Sequence, residues 1–306
     1  MTQASIGVVM NPIAGGGKMA AVWPAIGAIL ERQLGRFDLA RTTRPGDAMT
    51  LAQRFAEDGK ALVIAAGGDG TAGEVADGIL RVRRDVQLGL LPVGTGRDFA
   101  RSIDIRRHDH GVDALLSGKT RAIDAGLVRY VDREGRESSR HFLNIASLGL
   151  SGQVAQVVNG LKMGGRPAGK VTFMVHSIAQ LLRYRPTVVR VVIDGAEVIE
   201  EPVVFLAVAN GCYFGGGMKV APDAVLDDGL FDVIIVKARS KPELLWHFPK
   251  IYAGRHTALD IVTVRRAKRV EVTPAGRAPE LDADRESPGV LPATFEVLPR
   301  ALTLRG

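Results

Sequence analysis

The segment Ala65-Ala66-Gly67-Gly68-Asp69-Gly70-Thr71-Ala72-Gly73-Glu74 constrains this chain more than any other. A buried-strand signal over Ala61 to Ala66 runs into glycines, and a helical pattern then continues to about Arg84. Thr71 followed three residues later by Glu74 fits a capping box, which predicts Thr71 at the helix N-cap. Amide groups at a helix start, reached without side-chain obstruction, form a phosphate site. Asp69 belongs beside phosphates only if a magnesium ion or a proton donor lies between them. A strand-to-helix turn with a left-handed glycine accounts for one glycine; three around an aspartate exceed that need.

Two further glycine loops follow strand signals. Asn11-Pro12-Ile13-Ala14-Gly15-Gly16-Gly17-Lys18 comes directly after Ser5 to Met10, and Pro92-Val93-Gly94-Thr95-Gly96-Arg97-Asp98 comes after Gln87 to Leu91. The first is not a Walker A loop, because Met19 stands where a magnesium-binding hydroxyl should follow the lysine. Strands alternating with helices imply parallel pairing, and three such loops then converge on one sheet edge, where open α/β folds bind ligands. Gly68, Gly70 and Gly73 formally match a dinucleotide fingerprint, but they sit on a later strand, and the next strand ends in Pro92-Val93-Gly94 with no acidic residue there to hold a ribose, so that reading is rejected. Pro24 requires the helix after the first loop to start late or to kink.

Beyond about Ala122 the texture changes. Phe142 to Ser147, Val188 to Ile193, Val203 to Ala209, Phe231 to Val236 and Val270 to Thr273 are short, β-branched and turn-bounded, as in an antiparallel β domain. Helices are expected around Val171 to Tyr184 and Lys241 to Tyr252. The fold expected is a three-layer α/β nucleotide-binding domain over 1–125, a β-sandwich over 126–293, and a return to the first domain at about 294–306. A chain of 306 residues suits two such domains. Its single cysteine, Cys212, allows no internal disulfide. No apolar run approaches the about 20 residues of a membrane span. A net charge of +7 favours an anionic partner, but no nucleic-acid motif is present and aromatics are only 5%.

NPIAGGGK, GGDGTAGE and PVGTGRDFAR, in this order and spacing, resemble the catalytic domain of diacylglycerol kinases and their bacterial relatives, including sphingosine and ceramide kinases. FLNIASLG, ANGCYFGGGMKVAPDAVLDDGLFDV and LDAD extend the resemblance through the second half. The resemblance implies a lipid kinase that takes ATP and Mg2+ in a cleft between its domains. On that reading Asn11, Pro12, Ile13, Ala14, Gly15, Thr42, Gly67, Gly68, Asp69, Gly70, Thr71, Ala72, Gly73 and Thr95 line the nucleotide. Asp69, Asp98 and Asp124 lie near its phosphates and magnesium. Asp228, with backbone oxygens of Val225 and Leu230, holds a structural magnesium. The family's Asp-Gly-Glu motif, which supplies the base for the acceptor hydroxyl, falls on Asp282-Ala283-Asp284, and either aspartate is a candidate.

The implied protein is cytoplasmic and peripheral at the inner membrane face, with a lipid substrate, no nucleic-acid partner, and an open oligomeric state in which a homodimer is one option. Ala14, Gly73, Arg97, Ala283 and Asp284 depart from the family's usual Ser, Asn, Asn, Gly and Glu. The alternatives are a non-catalytic nucleotide or lipid sensor and a kinase of a soluble acceptor. His108 and His110 are expected in a solvated turn, Lys162 to Arg166 in a basic loop, and Trp246, Phe248 and Tyr252 in a core.

Overall fold

The computed structural model describes residues 5–82, 84–94, 96–105, 107–154, 157, 170–284 and 286–306. The chain divides into two compact units, Met1–Asp124 with Arg300–Gly306, and Ala125–Pro299.

The first unit alternates β1 (Ile6–Met10), α1 (Lys18–Leu34), β2 (Asp38–Arg41), α2 (Asp47–Glu57), β3 (Leu62–Gly67), α3 (Asp69–Leu80), β4 (Gln87–Pro92), α4 (Asp98–Ser102) and α5 (His108–Ser117). Its strands pair in the order β2-β1-β3-β4, all parallel, and Thr303–Arg305 adds to β4. Every residue of β1 and β3 is buried, because a parallel sheet is covered on both faces. Met19, Trp23 and Leu30 of α1 and Leu115 of α5 cover one face with Ile6, Val8 and Ile64. The other face carries α2 and α3, which approach closely: a Cβ on Gly78 would lie 2.3 Å from the Met49 carbonyl. α1 starts at Lys18 and runs through Pro24, so the proline does not delay its start. His108 and His110 open α5 rather than lying in a turn.

The second unit is a β-sandwich: β5 (Thr120–Asp132), β6 (Glu137–Phe142), β7 (Ile145–Gly149), α6 (Lys170–Arg183), β8 (Thr187–Ile193), β9 (Glu197–Ala209), β10 (Tyr213–Phe214), β11 (Met218–Lys219), β12 (Phe231–Lys237), α7 (Lys241–His247), β13 (Val262–Ala267), β14 (Arg269–Pro274), β15 (Leu281–Ala283) and β16 (Gly289–Arg305). β9 serves both layers. Its first half pairs with β8, and its second half lies between β12 and β7. Leu206, Val208, Phe231 and Val233 fill the interior with Val191, Val272 and Phe295 of the opposite layer. The alternate residues Ala207, Ala209 and Ile234 face outward beneath Leu181 of α6 and Leu244 of α7. The β7-β9-β12 layer is thus buried on both sides, which is why its strands read as continuous apolar runs. β16 continues antiparallel to β14 as far as Glu296, and the chain enters the first unit only at Arg300, later than the expected 294.

Candidate active site

β1, β3 and β4 are neighbours and parallel, so the loops that follow them leave from one sheet edge. Hydrogen bonds tie these loops together. Asn11 N–H donates to Ala66 O at 2.9 Å, Val93 N–H to Gly67 O at 2.8 Å, and Asn11 Nδ2 to Thr71 Oγ1 at 3.3 Å. Thr42 N–H donates to Met10 O at 2.9 Å, which brings the end of β2 to the same edge.

The glycines serve two different needs. Gly15, Gly16 and Gly17 are left-handed, with φ of 65°, 70° and 87°, and beyond Gly16 and Gly17 a side chain would meet nothing within 4 Å. This loop therefore presents bare backbone to open space. Gly67 is not left-handed; a Cβ there would sit 2.4 Å from Thr71 Oγ1. A Cβ on Gly94 would lie 3.4 Å from the Gly68 Cα, so the second and third loops abut backbone to backbone.

α3 begins at Asp69 with Gly68 as its N-cap, so Thr71 lies inside the first turn and is not the cap. Glu74 does not reach back to close a capping box. Its carboxylate accepts from Gly46 N–H at 3.1 Å and Ala48 N–H at 3.0 Å, capping α2 instead. The start of α3 therefore carries no side-chain cap from its N-cap residue.

A small pocket lies between the second and third loops, lined by Gly67, Gly68, Asp69, Pro92, Arg97 and Phe99. Arg97 is held left-handed at φ 52°, a conformation that asparagine adopts more readily than arginine. Asp98 opens α4 and is buried, with Arg101 Nη1 3.8 Å from its Oδ1. Asp124 is fully buried and accepts from Arg300 N–H at 2.7 Å, which fastens the returning C-terminal strand. Thr95, expected beside the nucleotide, lies outside the described residues, as does the Lys162 to Arg166 loop.

In the second unit the family-like segments meet around Asp284. Its Oδ2 accepts from Leu143 N–H at 2.7 Å, and its Oδ1 accepts from Asn144 and Ile145 N–H at 3.0 and 3.2 Å. Asn210 Nδ2 donates to Leu143 O, and Asn144 Nδ2 to Tyr213 O, both at 2.7 Å. Asp284 is buried and left-handed at φ 50°. Burial pushes its carboxyl up to about 6, against the three amides that favour the charged form. Asp282 is also buried, on β15 opposite Ser147 of β7.

Family models match both the first and the second part of the chain. Residues 5–128 match the diacylglycerol kinase catalytic domain, and residues 144–306 match the YegS C-terminal NAD kinase beta sandwich-like domain. A diacylglycerol kinase of Mycobacterium tuberculosis is 32% identical over 296 residues, covering 95% of this chain and 92% of that protein. The chain belongs to the diacylglycerol kinase family. A diacylglycerol kinase of Bacillus subtilis is 34% identical over 257 residues, covering 83% of this chain and 80% of the relative. Two crystal structures from Bacillus anthracis str. Sterne share the fold. One has a TM-score of 0.82 at 24% identity, covering 100% of this chain and 96% of that one. The other, of a diacylglycerol kinase, has 0.74 at 22%, covering 100% and 97%.

Asp228, which the family resemblance assigned to a structural magnesium with Val225 and Leu230, already has partners on both oxygens. Oδ1 accepts from Leu230 N–H at 3.0 Å, and Oδ2 takes the Arg266 guanidinium. A cation there would compete with Arg266. Among the described residues no three His, Cys, Asp or Glu side chains gather as a metal cage. Asp69 at the glycine loops is a hard oxygen donor of the kind magnesium uses singly or in pairs beside substrate phosphates, so that position fits the ion without a cage.

Sequence reasoning missed an apolar pocket of about 110 Å3 in the second unit. It is walled by Leu150, Val204, Phe214, Leu244, Ile251 and Ile261. Phe248 also lines it and packs edge-on against Tyr252, with 6.4 Å between ring centroids. Trp246, grouped with them as core, is 78% exposed, because α7 ends at His247 and its outer side carries the indole. No local motif signals such a pocket, since its walls come from six separate stretches of chain. Among the described residues no helix is long and apolar enough to cross a membrane.

Proposed function

We propose that this protein is an ATP-dependent lipid kinase that transfers the γ-phosphoryl group to a hydroxyl of diacylglycerol or a related membrane lipid alcohol. The observation that carries the reading is the convergence of three glycine loops, tied by backbone hydrogen bonds, at one edge of a parallel sheet. Backbone amides of Gly15 to Gly17 and of the first turn of α3 would hold the phosphates, with Thr71 fixed by Asn11. Asp69 and Asp98 would hold magnesium, which when bound neutralises charge on the phosphate oxygens. The apolar pocket of the second unit supports a lipid acceptor over a soluble one.

A lipid hydroxyl needs a base as its oxygen attacks phosphorus. Asp284 suits that role in this reading. Three amides fix its carboxylate, a fourth lone-pair position is left over, and burial places its proton exchange at about 6, near working pH. Asp282, two residues away on β15, would orient the hydroxyl.

The test is transfer of label from γ-labelled ATP, with magnesium, into diacylglycerol, monoacylglycerol, phosphatidylglycerol, sphingosine and ceramide in mixed micelles. A labelled lipid that disappears in Asp69→Ala and Asp284→Asn is the expected result. ATP binding without transfer to any of these lipids would overturn the reading.

A further inference from the structure

The apolar pocket contains polar atoms that its walls do not explain. His256 lines it from the short 3-10 turn Arg255–Ala258 and is buried to 5% exposure. Its Nε2 lies 3.0 Å from Val220 O. A carbonyl can only accept, so Nε2 carries the proton, and in a neutral ring Nδ1 is a bare lone pair. Burial pushes the imidazole below its ordinary pKa, which keeps the ring neutral. Nδ1 is buried and meets no hydrogen-bond donor among the described residues. Ser151 lines the same pocket, is 6% exposed, and its hydroxyl likewise has no partner there.

A buried acceptor without a donor is costly, and a well-packed interior rarely keeps one. Walls that are mostly hydrocarbon favour an apolar guest, and a donor within that guest would take the place of water at Nδ1. The pocket therefore asks for a guest that is mostly hydrocarbon yet brings one N–H or O–H. We propose that it takes a hydrocarbon chain of the acceptor lipid, and that His256 favours chains carrying a donor, an amide N–H or a hydroxyl, over chains joined only through ester oxygens. This rests on the lipid-kinase reading and narrows it. An ester oxygen would face the Nδ1 lone pair with a second lone pair, whereas an amide N–H would satisfy it. Ser151, able both to donate and to accept, can serve the carbonyl of the same linkage.

The experiment compares N-octyldecanamide with octyl decanoate, which differ by N–H against O at one position. Each is dispersed in uncharged detergent micelles and titrated calorimetrically into the full chain. The amide is expected to bind about tenfold more tightly, the worth of one buried hydrogen bond. His256→Leu, checked for folding by its thermal transition, is expected to erase that preference while keeping ester binding. Equal affinities in the unsubstituted protein would overturn the proposal without relying on any variant. So would a preference that survives His256→Leu, or the binding of neither probe. Binding is read without phosphoryl transfer, so the two readings fail separately. Transfer to lipids with no amide preference leaves the kinase standing, and an amide preference with no transfer leaves the pocket standing.

Discussion

Asp284, if it is the base proposed above, would set stability against chemistry. Its carboxyl holds a proton up to about 6 when folded, above its ordinary value of 3.8. Below 3.8 both folded and unfolded chains hold that proton, and the group does not affect stability. Between the two values only the folded chain keeps it, so stability falls as pH rises through this window. Above 6 the full cost of a buried carboxylate is present, about 3 kcal/mol for a carboxyl raised from 3.8 to about 6. In its proposed role as base, activity would run the other way, because a base must be ionised to accept a proton. Transfer should therefore rise with pH through about 6 while stability declines. In Asp284→Asn both dependences should vanish: unfolding free energies by denaturant at pH 4.5 and 7 should lose the slope assigned to this group, and transfer should be lost at every pH. A slope that persists unchanged would mean that another buried acid is responsible. Asp232, whose carboxyl burial also pushes up, is the alternative to test.

At the scale of elements, the join between α2 and α3 rests on Glu74. Its carboxylate is the cap of a neighbouring helix, accepting two amides at the start of α2. Glu74→Ala should cost about 2–3 kcal/mol by leaving those amides buried without a charged acceptor, and Glu74→Gln should recover part of it. Denaturant midpoints of the three proteins would decide this; an alanine variant within 0.5 kcal/mol of the parent, about the spread of a plain surface change, would remove Glu74 from the join. The same residue marks where sequence reading stopped. Thr71 and Glu74 have the spacing of a capping box, yet local spacing cannot say that Gly68 has already started the helix or that Gly46 lies beside it. The three glycine loops and β1, β3 and β4 were legible because fully buried parallel strands and glycine clusters leave strong local traces. β2 and α2 were not. Asp38–Arg41 is short and only half buried, and α2 faces the core with Ala48, Ala52 and Ala56, too small to make an apolar stripe stand out. β7, β9 and β12 were legible as apolar runs, but the polar first half of β9, EVIEEP, concealed its true length.

For the whole molecule, the question is how a chain with no membrane-crossing helix among its described residues would reach a lipid. Net charge is +7, which would favour an anionic surface as the site of docking. Attraction alone would not hold it there. Trp246 on α7 is 78% exposed, and Val175 and Leu182, seven residues apart on α6, are each 54% exposed. Residues at that spacing share one helix face, and α6 and α7 touch. Both helices cover the apolar pocket, to which they contribute Leu181 and Leu244. An indole and two aliphatic side chains outside a pocket of this kind would enter the acyl boundary of a bilayer while basic side chains met its headgroups. Two contributions then follow, and they separate experimentally. Sedimentation with anionic vesicles should weaken as salt rises from 0.05 to 0.5 M, roughly, as surface charges are screened. Trp246→Ser should weaken binding about tenfold or more at every salt concentration, because its contribution is the burial of apolar area. Binding that salt abolishes but Trp246→Ser leaves untouched would reduce the surface to a purely electrostatic one, and no binding under any of these conditions would point to an acceptor delivered from solution.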